Sequence, residues 1–99
     1  MDNDRIIVQL ELSEQRGMFF IEKEGEKIAL MTFRHSDNFH VIVDHTRVND
    51  TYRNKGYAKL LLEHMVNYAK EHQLIIIPVC SFVGYELSHN PDYKNLAKE

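Results

Sequence analysis

The chain is poor in the residues that mark disulfide and metal scaffolds. It has one cysteine, Cys80, in 99 residues, so no intrachain disulfide can form and nothing implies an oxidising compartment. No zinc-type Cys/His spacing occurs. His35, His40 and His45 stand five apart, which sends neighbours to opposite faces of a strand, and no metal is expected. Glycine is scarce as well. Gly56 is the only glycine in the basic stretch Arg53–Lys59, which excludes a Walker A loop and a Rossmann glycine pattern. No long apolar run follows the mixed-charge start Met1-Asp2-Asn3-Asp4-Arg5, so neither a signal peptide nor a membrane span is expected and the cytoplasm is the default location. The net charge of −3 argues against a broad basic face for nucleic acid. Repeats, low-complexity tracts and linkers are absent, and a chain this long supports one modest core in one domain, 1–99.

What is present divides at the middle of the chain. Ile6, Val8, Leu10 and Leu12 alternate with Arg5, Ile7, Gln9 and Glu11, the pattern of a first strand. Two further strands, Met18 to Glu22 and Lys27 to Arg34, flank Glu24-Gly25, where glycine can supply the positive φ of a tight hairpin. Ser36-Asp37-Asn38 turns the chain into a fourth strand, Phe39–Thr46. The period then changes. Ala58, Leu61, Leu62, Met65, Val66 and Ala69 form one face of a helix, with Glu63, Asn67, Lys70 and Glu71 on the wet side. Leu74–Val79 is a continuous apolar run, read as a strand buried on both faces. Ser81 is placed to cap a short helix, Phe82 to His89, which Asn90-Pro91 ends, and the tail Tyr93 to Leu96 is apolar enough to dock.

Strand, helix and buried strand make a right-handed parallel crossover: Phe39–Thr46, Gly56–His72, Leu74–Val79. In such units ligands sit beyond the carboxyl ends of the strands, beside the helix N-terminus. The turn there is Arg53-Asn54-Lys55-Gly56-Tyr57-Ala58-Lys59. Glycine lets backbone amides approach a ligand, and amides at a helix start attract anions. Arg47, Arg53, Lys55 and Lys59 stand against Asp50 alone, a positive spot on an acidic protein that suits a small polyanion. Three cations at a helix start are disfavoured by the helix dipole, by roughly 0.3–1 kcal/mol each, which an anion would reverse. The plainer reading is a solvated helix start.

Arg53-x-x-Gly56-x-Ala58 resembles the Arg/Gln-x-x-Gly-x-Gly/Ala signature of GCN5-related N-acetyltransferases, and stands between the same two elements. His45-Thr46-x-Val48, Ile77-Pro-Val-Cys80-Ser-Phe-Val83 and Asn90-Pro91-x-Tyr93 look like the short, single-domain branch of that superfamily, over roughly residues 18 to 96. The resemblance implies an α/β (α+β) fold. Its mixed sheet is an antiparallel meander followed by a β-α-β crossover with splayed strands and a short C-terminal helix. It also implies acetyl-CoA as donor and an amine as acceptor, small molecule or protein, in a monomer or homodimer without nucleic acid or membrane. The pyrophosphate would lie on the amides of Arg53 to Ala58, with Lys59 adding charge. The pantetheine arm would run between Phe39–Val48 and Leu74–Val79, pairing with backbone near Thr46 and Val48. Ala58 stands where many relatives have glycine. By the same resemblance, the N-terminal helices and much of the C-terminal hairpin that help form the amine site in larger members are expected to be lacking.

Three side chains are candidates for chemistry. His45, read as sharing a strand face with Phe39, Val41 and Val43, is either a hydrogen-bonded core-edge histidine or the general base for the incoming ammonium, since imidazoles titrate near neutral pH. Cys80 is either a small core residue or, beside a helix start that favours the thiolate, a nucleophile able to carry the acetyl group. By resemblance, Tyr85 would protonate the leaving CoA thiolate. Two rival readings stay open: an acyl-CoA-binding regulatory module with little or no transferase activity, and a small interaction domain whose loop meets an acidic partner.

Overall fold

A computed structural model describes residues 6–93, 95 and 96. The charged start with Arg5, the tail's Lys94, and residues 97–99 lie outside the described residues. Five strands form one sheet in chain order: β1 (Val8–Ser13), β2 (Arg16–Lys23), β3 (Glu26–His35), β4 (His40–Val48) and β5 (Ile75–Pro78). The first four pair antiparallel, and β4 and β5 pair parallel. Helix α1 (Tyr57–Glu71) makes the crossover, and α2 (Ser81–His89) follows β5. The meander and crossover are those expected from the two hydrophobic periods. At the β2–β3 hairpin Glu24 and Gly25 both have positive φ, 52° and 80°, the conformation a two-residue turn needs to follow the twist of its strands.

One face of the sheet is dry. Cross-strand partners share a face, so Phe19↔Met31, Ile21↔Ala29 and Phe33↔Val43 stack as buried ranks across β2, β3 and β4. The stripe Leu61, Leu62, Met65, Val66 and Ala69 of α1 closes over them. Each such Leu, Ile, Val, Phe or Met side chain contributes about 1.5–3 kcal/mol relative to exposure. Gly17 is needed here because the Phe33 ring lies where its Cβ would be. At the far end of α1 the Tyr68 ring packs on Phe33 at 5.1 Å, and its hydroxyl meets His35 Nε2 at 3.0 Å. Val83 and Leu87 of α2 join the same core.

The other face is open. Among the described residues no helix lies across it, and Arg16, Met18, Leu30, Thr32, Arg34 and Ile42 on it are half-buried or exposed; Phe20, opposite Leu30 with Lys27 over its ring, is the buried exception. This corrects the expectation for the apolar run 74–79. Within β5 only Ile76 is buried, while Ile75 is 39% exposed and Val79, just past the strand, 63%. Such a run is buried on both faces only when both faces of the sheet are covered. The start of α2 also differs from expectation: Cys80 takes the N-cap position with no side-chain cap bond, and Ser81 is the first helical residue.

Candidate functional site

Strands β4 and β5 stay together only as far as the pair Val43↔Pro78. Pro78 has no N–H to continue the ladder. The amides of Val79 and Cys80 both turn back to the carbonyl oxygen of Val43, each at 3.1 Å. Beyond that point β4 runs on through Val48, held on one side by β3. No strand pairs with its other side among the described residues. An extended ligand with amide groups can add itself to such an edge as a strand would. At the foot of the gap the Cys80 thiol donates to Thr46 Oγ1 at 3.3 Å.

The gap opens toward the start of α1. Residues Asp50–Tyr52 form a short 3-10 turn, Arg53 is extended, and Asn54 and Gly56 both have left-handed φ, 64° and 80°. The two left-handed residues on either side of Lys55 curl the loop around the helix end, a conformation glycine and asparagine tolerate best. Gly56 is the N-cap and offers no side chain to the first amides of α1, and no acidic residue stands in that first turn. The space a Cβ at Gly56 would enter is open. The loop is braced from behind, where the Tyr52 and Tyr57 rings stack at 6.3 Å. Ala58 is half-buried, while Lys55 and Lys59 are exposed. The Arg53 guanidinium touches Asp50 at 3.1 Å, both largely exposed. A groove of about 430 Å³, lined by Thr46, Arg47, Val48, Asn49, Asp50 and Arg53, joins the β4 edge to the loop.

The structure thus gathers Thr46, Val48 and Arg53 on one groove and places Cys80 at its inner end. It does not gather the other two candidates. His45 lies on the open face, exposed, and is not on the face of Val41 and Val43 as expected. The cause is a β-bulge. Thr32 pairs with His45 but Phe33 pairs with Val43, so Asp44 is an extra residue and every later side chain changes face. No hydrogen bond or ring contact joins His45 to Cys80 or Tyr85 among the described residues. Tyr85 is 58% exposed on α2, stacked on His89 at 4.0 Å.

One residue escaped the sequence reading. Asp44, aimed by the bulge onto the open face, accepts a 2.6 Å bond from Thr32 Oγ1 and lies 3.9 Å from Arg34 Nε. Its side chain is 21% exposed. Among the described carboxylates only Asp44 and Glu86 are not exposed. A signal for it existed: after Val41 and Val43 the next apolar residue is Val48, an odd number of positions on and so out of step with the alternation. Among the described residues no group of three or more metal-ligating side chains occurs, and no helix is long and apolar enough to cross a membrane.

Comparison with known proteins agrees with this geometry. The family model described as GCN5-related N-acetyl-transferase matches residues 18–96. The solution structure of a GCN5-like protein from Staphylococcus aureus is 32% identical, with a TM-score of 0.71 over 91% of this chain and 87% of that one. Two others share the fold at lower identity. An acetyltransferase from Elizabethkingia anophelis, solved with acetyl-CoA bound, is 16% identical with a TM-score of 0.56, over 64% of this chain and 42% of that one. A ribosomal-protein-alanine N-acetyltransferase from Brucella melitensis is 20% identical with a TM-score of 0.54, over 68% and 52%. No curated protein is significantly similar. With its β4–β5 splay, its glycine N-cap and the match over residues 18–96, the chain belongs to the GCN5-related N-acetyltransferase family.

Proposed function

We propose that this protein binds acetyl-CoA and transfers the acetyl group to an amine by direct attack on the thioester. The observation that carries the reading is the groove from Arg53, three residues before the glycine N-cap of α1, to the unpaired edge of β4 at Thr46 and Val48. The residues fit the donor. The amides from Arg53 to Ala58, with Lys55 and Lys59, would hold the pyrophosphate, as helix starts hold anions. The free edge of β4 would take the amides of the pantetheine arm. Bound acetyl-CoA supplies an activated acetyl carbon, at which an amine forms the C–N bond as the C–S bond breaks, releasing CoA thiolate and one proton.

The chain's own part is to position and to move protons. His45, on the open face, would take the proton from the attacking amine. Tyr85 would return one to the leaving thiolate, and Cys80, bonded to Thr46, would shape the inner end of the gap. A covalent acetyl-cysteine route is the lesser alternative for that thiol. Residues 1–99 as one domain, a cytoplasmic location and a monomeric or homodimeric state belong to the same proposal. The exposure of His45, which no second group orients among the described residues, favours a second reading: an acyl-CoA-binding regulatory module with little or no transferase activity.

Thermal denaturation with acetyl-CoA, followed by intact-mass analysis and an amine panel, tests both readings. A saturable rise in Tm, together with acetylated amine and free CoA, is the expected result. A rise without product supports the regulatory module. No shift with acetyl-CoA or with CoA sinks the donor reading. Mass added at Cys80, lost in Cys80→Ala, would establish the covalent route.

A further inference from the structure

The splay leaves the reacting carbon, on the reading above, in the plane of the sheet near Val43, and the two faces of the sheet offer unequal access to that point. On the α1 face Val41, Val43, Leu61, Leu62 and Val83 are all 0–1% exposed, so the way is filled by packed side chains. On the open face no described element covers it. The acceptor therefore has one side from which to approach. Asp44 stands at that approach, next in the chain to Val43, turned outward by the bulge and oriented by Thr32. A carboxylate held by a neighbouring hydroxyl and still partly exposed is suited to an ammonium ion.

The same face carries a second signal. Arg16 and Arg34 are direct cross-strand partners on it, two like charges opposite each other, which is unfavourable unless something neutralises them. Arg34 has Asp44 at 3.9 Å, whereas Arg16 makes no ion pair among the described residues. Arg16 also lines a concavity of about 260 Å³ with Glu11, Met18 and Thr32, the residue that bonds Asp44. From Asp44 on β4 this surface runs to Arg34 on β3, 3.9 Å away, and on to Arg16 on β2, with Met18 and Glu11 in the neighbouring rank.

Resting on the acetyl-transfer reading, we infer that the acceptor is a zwitterionic amine that enters across the open face, its ammonium on Asp44 and its carboxylate on Arg16 and Arg34. A plain alkylamine would use only half of the surface, and a polyamine would set its second charge against the arginines. Acetylation turns the ammonium into a neutral amide, which removes the attraction to Asp44 and eases release of the product.

The test uses amide NMR on the whole chain saturated with CoA, titrated with 6-aminohexanoate and separately with n-hexylamine. 6-Aminohexanoate is expected to shift Met18, Thr32, Arg34 and Asp44 and to bind at least about tenfold tighter than hexylamine. Asp44→Asn keeps an acceptor for Thr32 and should abolish both titrations. Arg16→Gln with Arg34→Gln should erase only the preference for the zwitterion. In a turnover assay Asp44→Asn should raise KM for the amine with little change in KM for acetyl-CoA. Shifts confined to α2 or to residues 53–59, no saturable binding, or Asp44→Asn titrating like the parent would overturn the acceptor site. A separate acetyl-CoA titration that leaves residues 53–59 unmoved overturns the donor reading instead, and the acceptor role with it.

Discussion

The two faces of the sheet are made by the same alternation of side chains, yet they behave as different materials. Under α1 the ranks Phe19–Met31 and Phe33–Val43 are sealed, and even Gly17 is needed to make room for a ring. Across the sheet, Met18, Thr32 and Ile42 stand half-exposed beside arginines and a hydrogen-bonded aspartate. The bulge at Asp44 sits between these regimes and exchanges them along β4. Before it, the strand sends Val41 and Val43 into the core; after it, Thr46 and Val48 take that side and His45 faces out. The difference shows a division of labour in a small domain: one face supplies the stability that lets the other, and the edge between them, stay unsatisfied.

The sharpest way to break the comparison is to cut the same amount of side chain from each face. Leu62→Ala, on the sealed side, should lower unfolding free energy in urea by about 2–5 kcal/mol. Leu30→Ala, on the open side, should cost clearly less, because its side chain is only half-buried and leaves no closed cavity. Equal losses would mean that the open face is covered in solution.

A smaller effect is expected at the loop. Gly56→Ala forces a Cβ onto a residue with φ of 80°, a cost of about 1 kcal/mol in stability. Its larger consequence should be weaker acetyl-CoA binding by calorimetry, since the Cβ enters the space in front of the helix start. Binding unchanged in that variant would separate the loop from the donor.

The smallest effect concerns pH. Burial holds the Tyr68 phenol above its ordinary value near 10; burial, and after it the carboxylates of Glu63, Asp92 and Glu86, does the same for Tyr93. Above that value the unfolded chain has lost protons that the folded chain keeps, so stability falls as pH rises. The contribution is complete below about pH 10 and disappears as pH passes through the folded values. Tyr68→Phe should flatten the alkaline limb of a stability–pH curve, and an unchanged limb would show that this ring titrates normally.

Much of this was legible in the residues. The helical stripe from Leu61 to Ala69 and the Glu24-Gly25 hairpin depend on neighbours a few positions apart, and both stand where their patterns put them. Arg53, Gly56 and Ala58 could be placed because the loop lies between two such elements. His45 was misplaced for a related reason: strand alternation is counted locally, and one extra residue reverses the count. The out-of-step return of an apolar residue at Val48 carried that information, but only the pairing of His45 with Thr32 and of Thr46 with Met31 makes it readable. Whether the run 74–79 would be buried on both faces was likewise undecidable from its composition, since that depends on what else covers the sheet.

By itself the sequence determined the order of the elements, the parallel crossover and the basic, glycine-capped turn at its mouth, because periodicity, turn chemistry and local charge act over a few residues. Only the tertiary structure decided where β4 and β5 part, which face His45 and Asp44 occupy, and that one face of the sheet stays open. Those outcomes come from pairings between strands far apart in the chain, where a single unpaired residue or a proline without an N–H changes which groups meet.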